Sequence, residues 1–479
     1  MIKNITWKFL ERIITQTISL LVTIILARLL DPEYYGIISI MLVFITIAEL
    51  FVCDGLATAL IQKRDIDELD YSTVICANLI LSSVLYLFLF VVSPLISTFF
   101  LNGNRDYISV IRILSLRIFF YAIHSVQQAY ISRNMMFKKL FYASFASTVI
   151  SSVIAILSAY RYQGILPLLI QNLSYIIIVT IVLVLIIRET PKTGFSKQRF
   201  NSLYGFGSKV LQTTLLIQGF ELFQSLIIGK RFSDTDLAFY EKGRRFPYMI
   251  VSNMNSSIVS VLFPKMATVQ NDKERLRFLT KQYLRFGSYL ICPMMLGFAA
   301  IAEPFVHIFL TDKWLPCVPL LRAFCFTYLF YPLHSSNNQA TKALGRGDIC
   351  FRVEIIKKVI SLIVFITCIF INIEAVVYGL VLCSAVGCLF DGYPNSVLFD
   401  YSLKEQFQDF LTPFLFSVVM YVSVSLLSNM AINEVFRLFI QIASGILVYL
   451  FLSVISRNEE FLFIVQNMKN LFHKKRSHL

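Results

Sequence analysis

Apolar runs of about twenty residues, the length that crosses a bilayer's hydrocarbon core, recur from Trp7 almost to residue 456 with short polar connections between them. No other feature of the chain constrains its fold as strongly. A backbone in lipid has no water to bond to, so each run must satisfy its own N–H and C=O groups as a helix. The segmentation predicts an all-α polytopic membrane protein of about 14 transmembrane helices. They lie near 8–30, 35–61, 71–100, 109–131, 140–160, 165–187, 205–230, 239–262, 283–310, 317–343, 353–373, 375–398, 410–431 and 434–456. No small-residue cleavage site follows the first run, which reads as a retained span.

The 479 residues are 57% hydrophobic and 15% charged, and a soluble chain of this length could not keep that much apolar surface from water. The formal net charge of +14 does not point to nucleic acid here, because the Lys and Arg residues alternate between loops. Lys63, Arg133, Lys138, Lys197, Arg275 and Arg346 mark one side, against Arg105, Arg161 and Lys313 on the other. The positive-inside rule then predicts a bacterial cytoplasmic (inner) membrane protein with both termini in the cytoplasm. The end of the chain, residues 457–479, has an apolar face and a basic end and reads as an amphipathic cytoplasmic tail on the inner leaflet. Nine cysteines show no CxxC pair, so they read as small buried apolar residues, with no metal site and no cofactor implied.

One phrase occurs twice. Residues 112–128, RILSLRIFFYAIHSVQQ, align without a gap on residues 322–338, RAFCFTYLFYPLHSSNN. Arg, Phe, Tyr, His and Ser recur in register and Gln-Gln becomes Asn-Asn. A second echo pairs ALIQK (59–63) with VLFPK (261–265). Six spans separate the copies, so the halves are expected to be parallel repeats about an axis along the membrane normal. The expected organisation is a six-helix bundle over 1–200, a second over 201–400, and two appended helices over 401–456. Pro332 has no counterpart at Ala122, so the halves are expected to bend differently there.

Polar side chains recur at helical spacing inside these runs. Arg117, Tyr121, His124 and Gln128 share one helix face, as do Thr327, Tyr331, His334 and Asn338. Amide and aromatic groups of this kind suit sugar hydroxyls; the competing reading is hydrogen bonding between packed helices. Lys242, Arg244 and Arg245 add cations near a span end, as do Arg112 and Arg322. Charge at such depth is costly and usually functional, and arginine matches phosphate oxygens in a bidentate way. Glu49, Asp54 and Glu221 are carboxylates within spans. They are candidates for coupling to H⁺ or Na⁺, or counter-charges for the arginines.

The stretches LARLLDPEYYGIISI, GLATALIQKRD, AFYEKGRRFP, VLFPKM, DKWLPCVPLLR and LHSSNNQATKALGRGD resemble, in order and spacing, the Wzx-type oligosaccharide/polysaccharide flippases of the multidrug/oligosaccharidyl-lipid/polysaccharide exporter superfamily. The resemblance runs from residue 1 to about 360. It implies two six-helix bundles around a central cavity and alternating access. The substrate it implies is a polyprenyl-diphosphate-linked glycan, carried from the cytoplasmic to the periplasmic leaflet for polysaccharide or lipopolysaccharide biosynthesis. Polysaccharide polymerase or glycosyltransferases are the expected protein partners, with membrane lipid as the solvent. Where the family often has Asn-Arg after the loop tyrosine, Glu241-Lys242 stands here. A small-molecule exporter of the same superfamily is the alternative. A membrane-bound polymerase or ligase is disfavoured by short outward loops and the lack of a nucleophile–base pair.

Overall fold

A computed structural model of the chain describes residues 2–63, 65–187, 194–430, 432–462 and 466, without the side chains of residues 2–6, 8, 9, 54 and 429. Residues 463–465 and 467–479, most of the expected basic tail, lie outside the described residues. Seventeen α-helices follow one another, with no strand among the described residues. They are α1 (Ile2–Leu29), α2 (Pro32–Gln62), α3 (Glu68–Phe100), α4 (Arg105–Ser115), α5 (Arg117–Arg133), α6 (Phe137–Arg161), α7 (Leu166–Ile187) and α8 (Lys197–Arg231). Then come α9 (Asp234–Thr268), α10 (Lys273–Ala300), α11 (Ala302–Phe305), α12 (Val318–Leu329), α13 (Tyr331–Ala343), α14 (Gly347–Cys368), α15 (Ile373–Leu398), α16 (Leu403–Leu426) and α17 (Glu434–Ile455).

Among the described residues, 11 helical segments are long and apolar enough to cross a membrane, and up to 12 if α10 and its continuation through Leu310, bent by 70°, form one span. The chain is thus a multi-pass membrane protein. Of the fourteen runs read from the sequence, those at 205–230 and 353–373 form α8 and α14 but fall outside that set. α14 carries Arg352, Glu354, Lys357 and Lys358 within two turns, which lowers its apolar average.

The chain divides by packing into two compact units, residues 1–238 and 239–479. In the first, α1 packs on α6, α6 on α7, α5 on α2, α3 and α7, and α8 along α2. Small residues make the α6 contact possible: Ala143, Ser147, Ser151, Ala155 and Ala159, one per turn, are all buried. The helix α8, placed in the second bundle by the sequence segmentation, packs in the first unit because glycines let it lie against α2. A side chain at Gly55 would put its Cβ 2.9 Å from the Gly207 carbonyl oxygen of α8, while a side chain at Gly36 would overlap the backbone of Asp234 at the start of α9. The ends of α2, α3 and α8 meet at Asp70, which is fully buried and pairs with Lys63 at 2.6 Å and Arg199 at 3.1 Å. Asp70 also closes a capping box with Asp67 at the start of α3.

In the second unit α10 is central, packing on α12, α13 and α16, while α15 packs on α12, α13 and α14. The two appended helices belong to this unit. The Tyr449 hydroxyl of α17 donates to the Tyr289 carbonyl of α10 at 2.9 Å, and the Tyr289 hydroxyl donates to Ser453 at 3.0 Å.

The doublet read from the sequence extends in space. α13 ends at Ala343, 210 residues after the end of α5 at Arg133, and α14 starts at Gly347, 210 after the start of α6 at Phe137. Within this shared register the helix breaks differ. The first copy breaks at Leu116, between α4 and α5; the second breaks at Phe330, about one turn later in register. Pro332, second in α13, has no N–H to continue α12 and fixes the break there.

Candidate functional site

Three helices of the first unit converge on Arg117, the first residue of α5. It is only 8% exposed. Its Nε lies 3.1 Å from Glu49 Oε1 on α2, Nη1 donates to Asn172 Oδ1 on α7 at 3.3 Å, and Nη2 donates to the Tyr121 hydroxyl at 3.4 Å. The guanidinium carbon also sits 5.3 Å from the centre of the Tyr121 ring. Glu49 Oε1 and Arg117 Nε are close enough to attract but have no hydrogen-bond partner. The pair therefore keeps unused hydrogen-bonding capacity at a depth where bare charge is expensive. A guanidinium in this state can donate to the oxygens of a phosphate.

The rest of the first stripe divides. His124 is buried with Nδ1 lacking a hydrogen-bond partner, and Gln127 donates to the Thr180 carbonyl on α7 at 3.2 Å. Gln128, the amide expected on the polar face, is exposed. Ser125 accepts from Asn78 of α3 at 3.3 Å.

The second stripe sits in the same fold position with different partners. Ser335 bonds the Tyr283 hydroxyl of α10 at 2.8 Å, and Tyr283 donates to Asn255 at 2.6 Å. Asn337 donates to Gln406 on α16 at 2.9 Å and accepts from Asn395 on α15 at 2.7 Å. Asn338 and Tyr331 are partly buried. His334 is held inside its own unit: Nδ1 is 2.5 Å from Asp391 Oδ2 and Nε2 is 3.1 Å from the Ser384 hydroxyl. Lys357 of α14 reaches both oxygens of Asp391, at 3.1 and 2.9 Å, and Glu354 at 2.8 Å. His334, expected on a wet face, is thus engaged by protein groups. Lys357 is thus a partner of Glu354 on its own helix as well as of Asp391.

The other cations separate by environment. Lys242 on α9 is buried, with Nζ 5.4 Å from the centre of the Trp314 indole. Arg244 pairs with Glu241 at 2.9 Å, and Arg245 is exposed. Arg112 donates to Ser93 at 3.0 Å and lies 3.8 Å over the Phe90 ring; Arg322 reaches Glu303 at 3.3 Å. Both of these contacts are structural pairings. Of the candidate coupling carboxylates, Glu49 joins Arg117, Glu221 is exposed on α8, and the side chain of Asp54 lies outside the described residues.

Sequence reasoning missed Asp391 and Lys357. The signal was present: Asp391 interrupts the apolar run at 375–398, and a carboxylate there needs a partner. Gly387 is the other missed residue, since a Cβ there would stand 3.1 Å from His334 Cε1 and 3.4 Å from Lys357 Cδ.

Comparison with known proteins adds to this geometry. Residues 25–319 match the family described as "Polysaccharide biosynthesis protein". The chain is 27% identical over 351 residues to the succinoglycan biosynthesis transport protein ExoT of Rhizobium meliloti (strain 1021), covering 73% of this chain and 70% of that one. It is 23% identical over 390 residues to the lipopolysaccharide biosynthesis protein WzxC of Escherichia coli (strain K12), covering 81% and 76%. Among solved structures, lipid II flippase MurJ in an inward closed conformation superposes with a TM-score of 0.77 at 18% identity, covering 96% of this chain and 99% of that one. The last of these shows a shared fold.

Proposed function

We propose, from the premise that this chain belongs to the polysaccharide biosynthesis protein family, that it is a flippase for a lipid-linked oligosaccharide. The substrate is a polyprenyl-diphosphate-linked glycan moved from the cytoplasmic to the outer leaflet of the inner membrane, with no covalent change. The observation that carries this reading is the Arg117–Glu49 pair within the first unit. An anion in a low-dielectric medium costs on the order of tens of kcal/mol, so a carrier of diphosphate needs cations at bilayer depth. Arg117 is one such cation, and Lys242 and Arg245 on α9 are further candidates. Tyr121, Gln128, Tyr331 and Asn338 are the proposed glycan contacts. The names of the relatives, which concern succinoglycan transport and lipopolysaccharide biosynthesis, support a sugar polymer precursor over a small-molecule exporter.

Both termini are placed in the cytoplasm on this proposal, and α8 and α14 complete fourteen spans. With the cell interior negative by about 100 mV, an anion moving outward and a cation moving inward each gain about 2.3 kcal/mol per charge. Antiport against H⁺ or Na⁺ is therefore favourable on both legs. A polymerase using the exported unit is the expected protein partner. The test is deletion in the native host. Loss of the surface polysaccharide, build-up of its lipid-linked precursor and rescue by the full chain support the proposal. Unchanged polysaccharide after deletion refutes it.

A further inference from the structure

The charge cluster of the second unit has no counterpart in the first. At the 210-residue register Lys357 corresponds to Ser147 and Glu354 to Ser144, and α7, the helix that follows α6 as α15 follows α14, carries no charged residue at all. His124 therefore faces no charge at these positions, and both His124 Nδ1 and the Ser174 hydroxyl lack hydrogen-bond partners. A duplicated histidine kept among neutral groups in one copy and built into an ion network in the other calls for a separate explanation.

The hydrogen-bond directions supply it. The Ser384 hydroxyl donates to the Thr327 carbonyl at 2.9 Å, so towards His334 it has a lone pair to offer. Asp391 accepts at Nδ1 and also accepts from Lys357. Both ring nitrogens of His334 thus face acceptors, and only the imidazolium donates from both. Losing the Nε2 proton would put two lone pairs face to face at 3.1 Å. The Ser384 hydroxyl would then turn toward Nε2 and release the Thr327 carbonyl, which lies in the last turn of α12, next to the break at Phe330. Protonation of His334 is thereby tied to a contact at the Pro332 bend.

We propose that His334, held by Asp391 and Lys357, is the proton-exchanging site of transport, with Ser384 carrying its protonation state to the α12–α13 break. This rests on the flippase reading and deepens it by naming the ion and the site. The step is a simple transfer: Nε2–H⁺ gives its proton to water, Nδ1–H stays bonded to Asp391, and the reverse reloads it. The His334 side chain keeps 20% of its surface exposed, and on this proposal that face is where water exchanges the proton. A metal cation is disfavoured because both Asp391 oxygens are already engaged, and no group of three or more metal-ligating side chains occurs among the described residues.

The other groups around the ring fit this assignment. From α15 Cys388 Sγ lies 3.7 Å from Nε2, and from α14 Glu354 balances Lys357. From α10 Tyr283 is occupied by Ser335, and α16 presents the neutral Gln406 to Asn337. Cys350 of α14 donates to the Asn338 carbonyl, and Tyr331 shares the helix of His334. The cluster of His334, Lys357, Asp391 and Glu354 is neutral when His334 is charged, so loss of the proton leaves one net negative charge at that depth.

Two measurements test the proposal on the full chain. In ¹⁵N-histidine NMR of detergent-solubilised protein at neutral pH, the His334 signal, identified by its loss in His334→Gln, should show both nitrogens protonated; Asp391→Asn should convert it to a neutral ring. A neutral His334 in the wild type overturns the proposal. In the deletion host, collapse of the pH gradient at constant membrane potential should lower polysaccharide export, because each pH unit of gradient lost lowers by about tenfold the outer-to-inner precursor ratio that one exchanged proton can sustain. Asp391→Glu should keep that dependence and His334→Gln should lose it along with most export. Export that needs this gene but ignores the pH gradient overturns the proton assignment and leaves the flippase reading standing. Export unaffected by deletion removes the flippase reading itself, and the coupling proposal with it.

Discussion

Arg117 and Glu49 approach to 3.1 Å from two different helices, α5 and α2, yet neither facing atom has a hydrogen-bond partner. A pair of this kind separates stability from function. Removing one partner of a buried ion pair costs about 3–5 kcal/mol, whereas replacing both by apolar residues is often neutral. Glu49→Gln and Arg117→Gln should each lower the thermal midpoint of the purified chain, and the double variant Glu49→Leu/Arg117→Met should recover most of it. Polysaccharide export should fail in every variant lacking Arg117. A stable double variant that exports normally would assign the pair to packing alone.

Glycine substitutions should report the contacts of α2 with α8 and with the start of α9. Gly36→Ala would force a methyl group into the Asp234 backbone, and Gly55→Ala would press on the Gly207 carbonyl. Gly219, in the middle of α8, has nothing within 4 Å, so Gly219→Ala should stabilise the helix by up to about 1 kcal/mol. Thermal unfolding of the three variants should rank Gly219→Ala above wild type and Gly36→Ala last. Equal midpoints would mean that the helices do not pack this closely.

The two amide pairs should differ although the sequence writes them alike. Asn337 serves Gln406, Asn395 and the Leu333 carbonyl, while Gln127 donates to Thr180 and its Oε1 has no partner. Leaving a buried polar group unsatisfied costs roughly 1–3 kcal/mol. Asn337→Ala should therefore lower the thermal midpoint more than Gln127→Ala does. The reverse order would contradict the packing described for α13.

Much of this architecture was legible because two periodicities carry it. Apolar runs set the helices, and the 112–128 and 322–338 echo located a register that holds to the starts of α6 and α14. Pro332, with no counterpart at Ala122, correctly marked a difference in bending, since a missing N–H acts locally. Partner choice was not legible. The same Tyr-His-Ser phrase meets neutral groups around His124 and Asp391 around His334, because partners come from helices tens of residues away in the chain. The place of α8 was hidden for a similar reason: small residues permit a close approach without saying to which helix.

The proposed orientation predicts that membrane-impermeant thiol reagents label single cysteines placed beside Arg105 and Lys313 from outside. Those beside Lys63 and Arg275 should react only after permeabilisation. Cysteines in the connections 232–233 and 369–372 should also react from outside if α8 and α14 each cross the bilayer. Reversed labelling would overturn the direction of transport, and unreactive sites at both connections would remove the two added spans.

The central claim is that a glycan headgroup changes leaflets, and its sidedness can be measured directly. Periodate does not cross an intact bilayer and oxidises the vicinal diols of sugars that it reaches. In spheroplasts of a polymerase-deficient host, radiolabelled lipid-linked precursor should be largely oxidised when the wild-type chain is present. It should be largely protected when the gene is deleted or carries Arg117→Gln, and become fully oxidised on lysis. Equal oxidation of the precursor in intact spheroplasts with and without the chain would contradict the account.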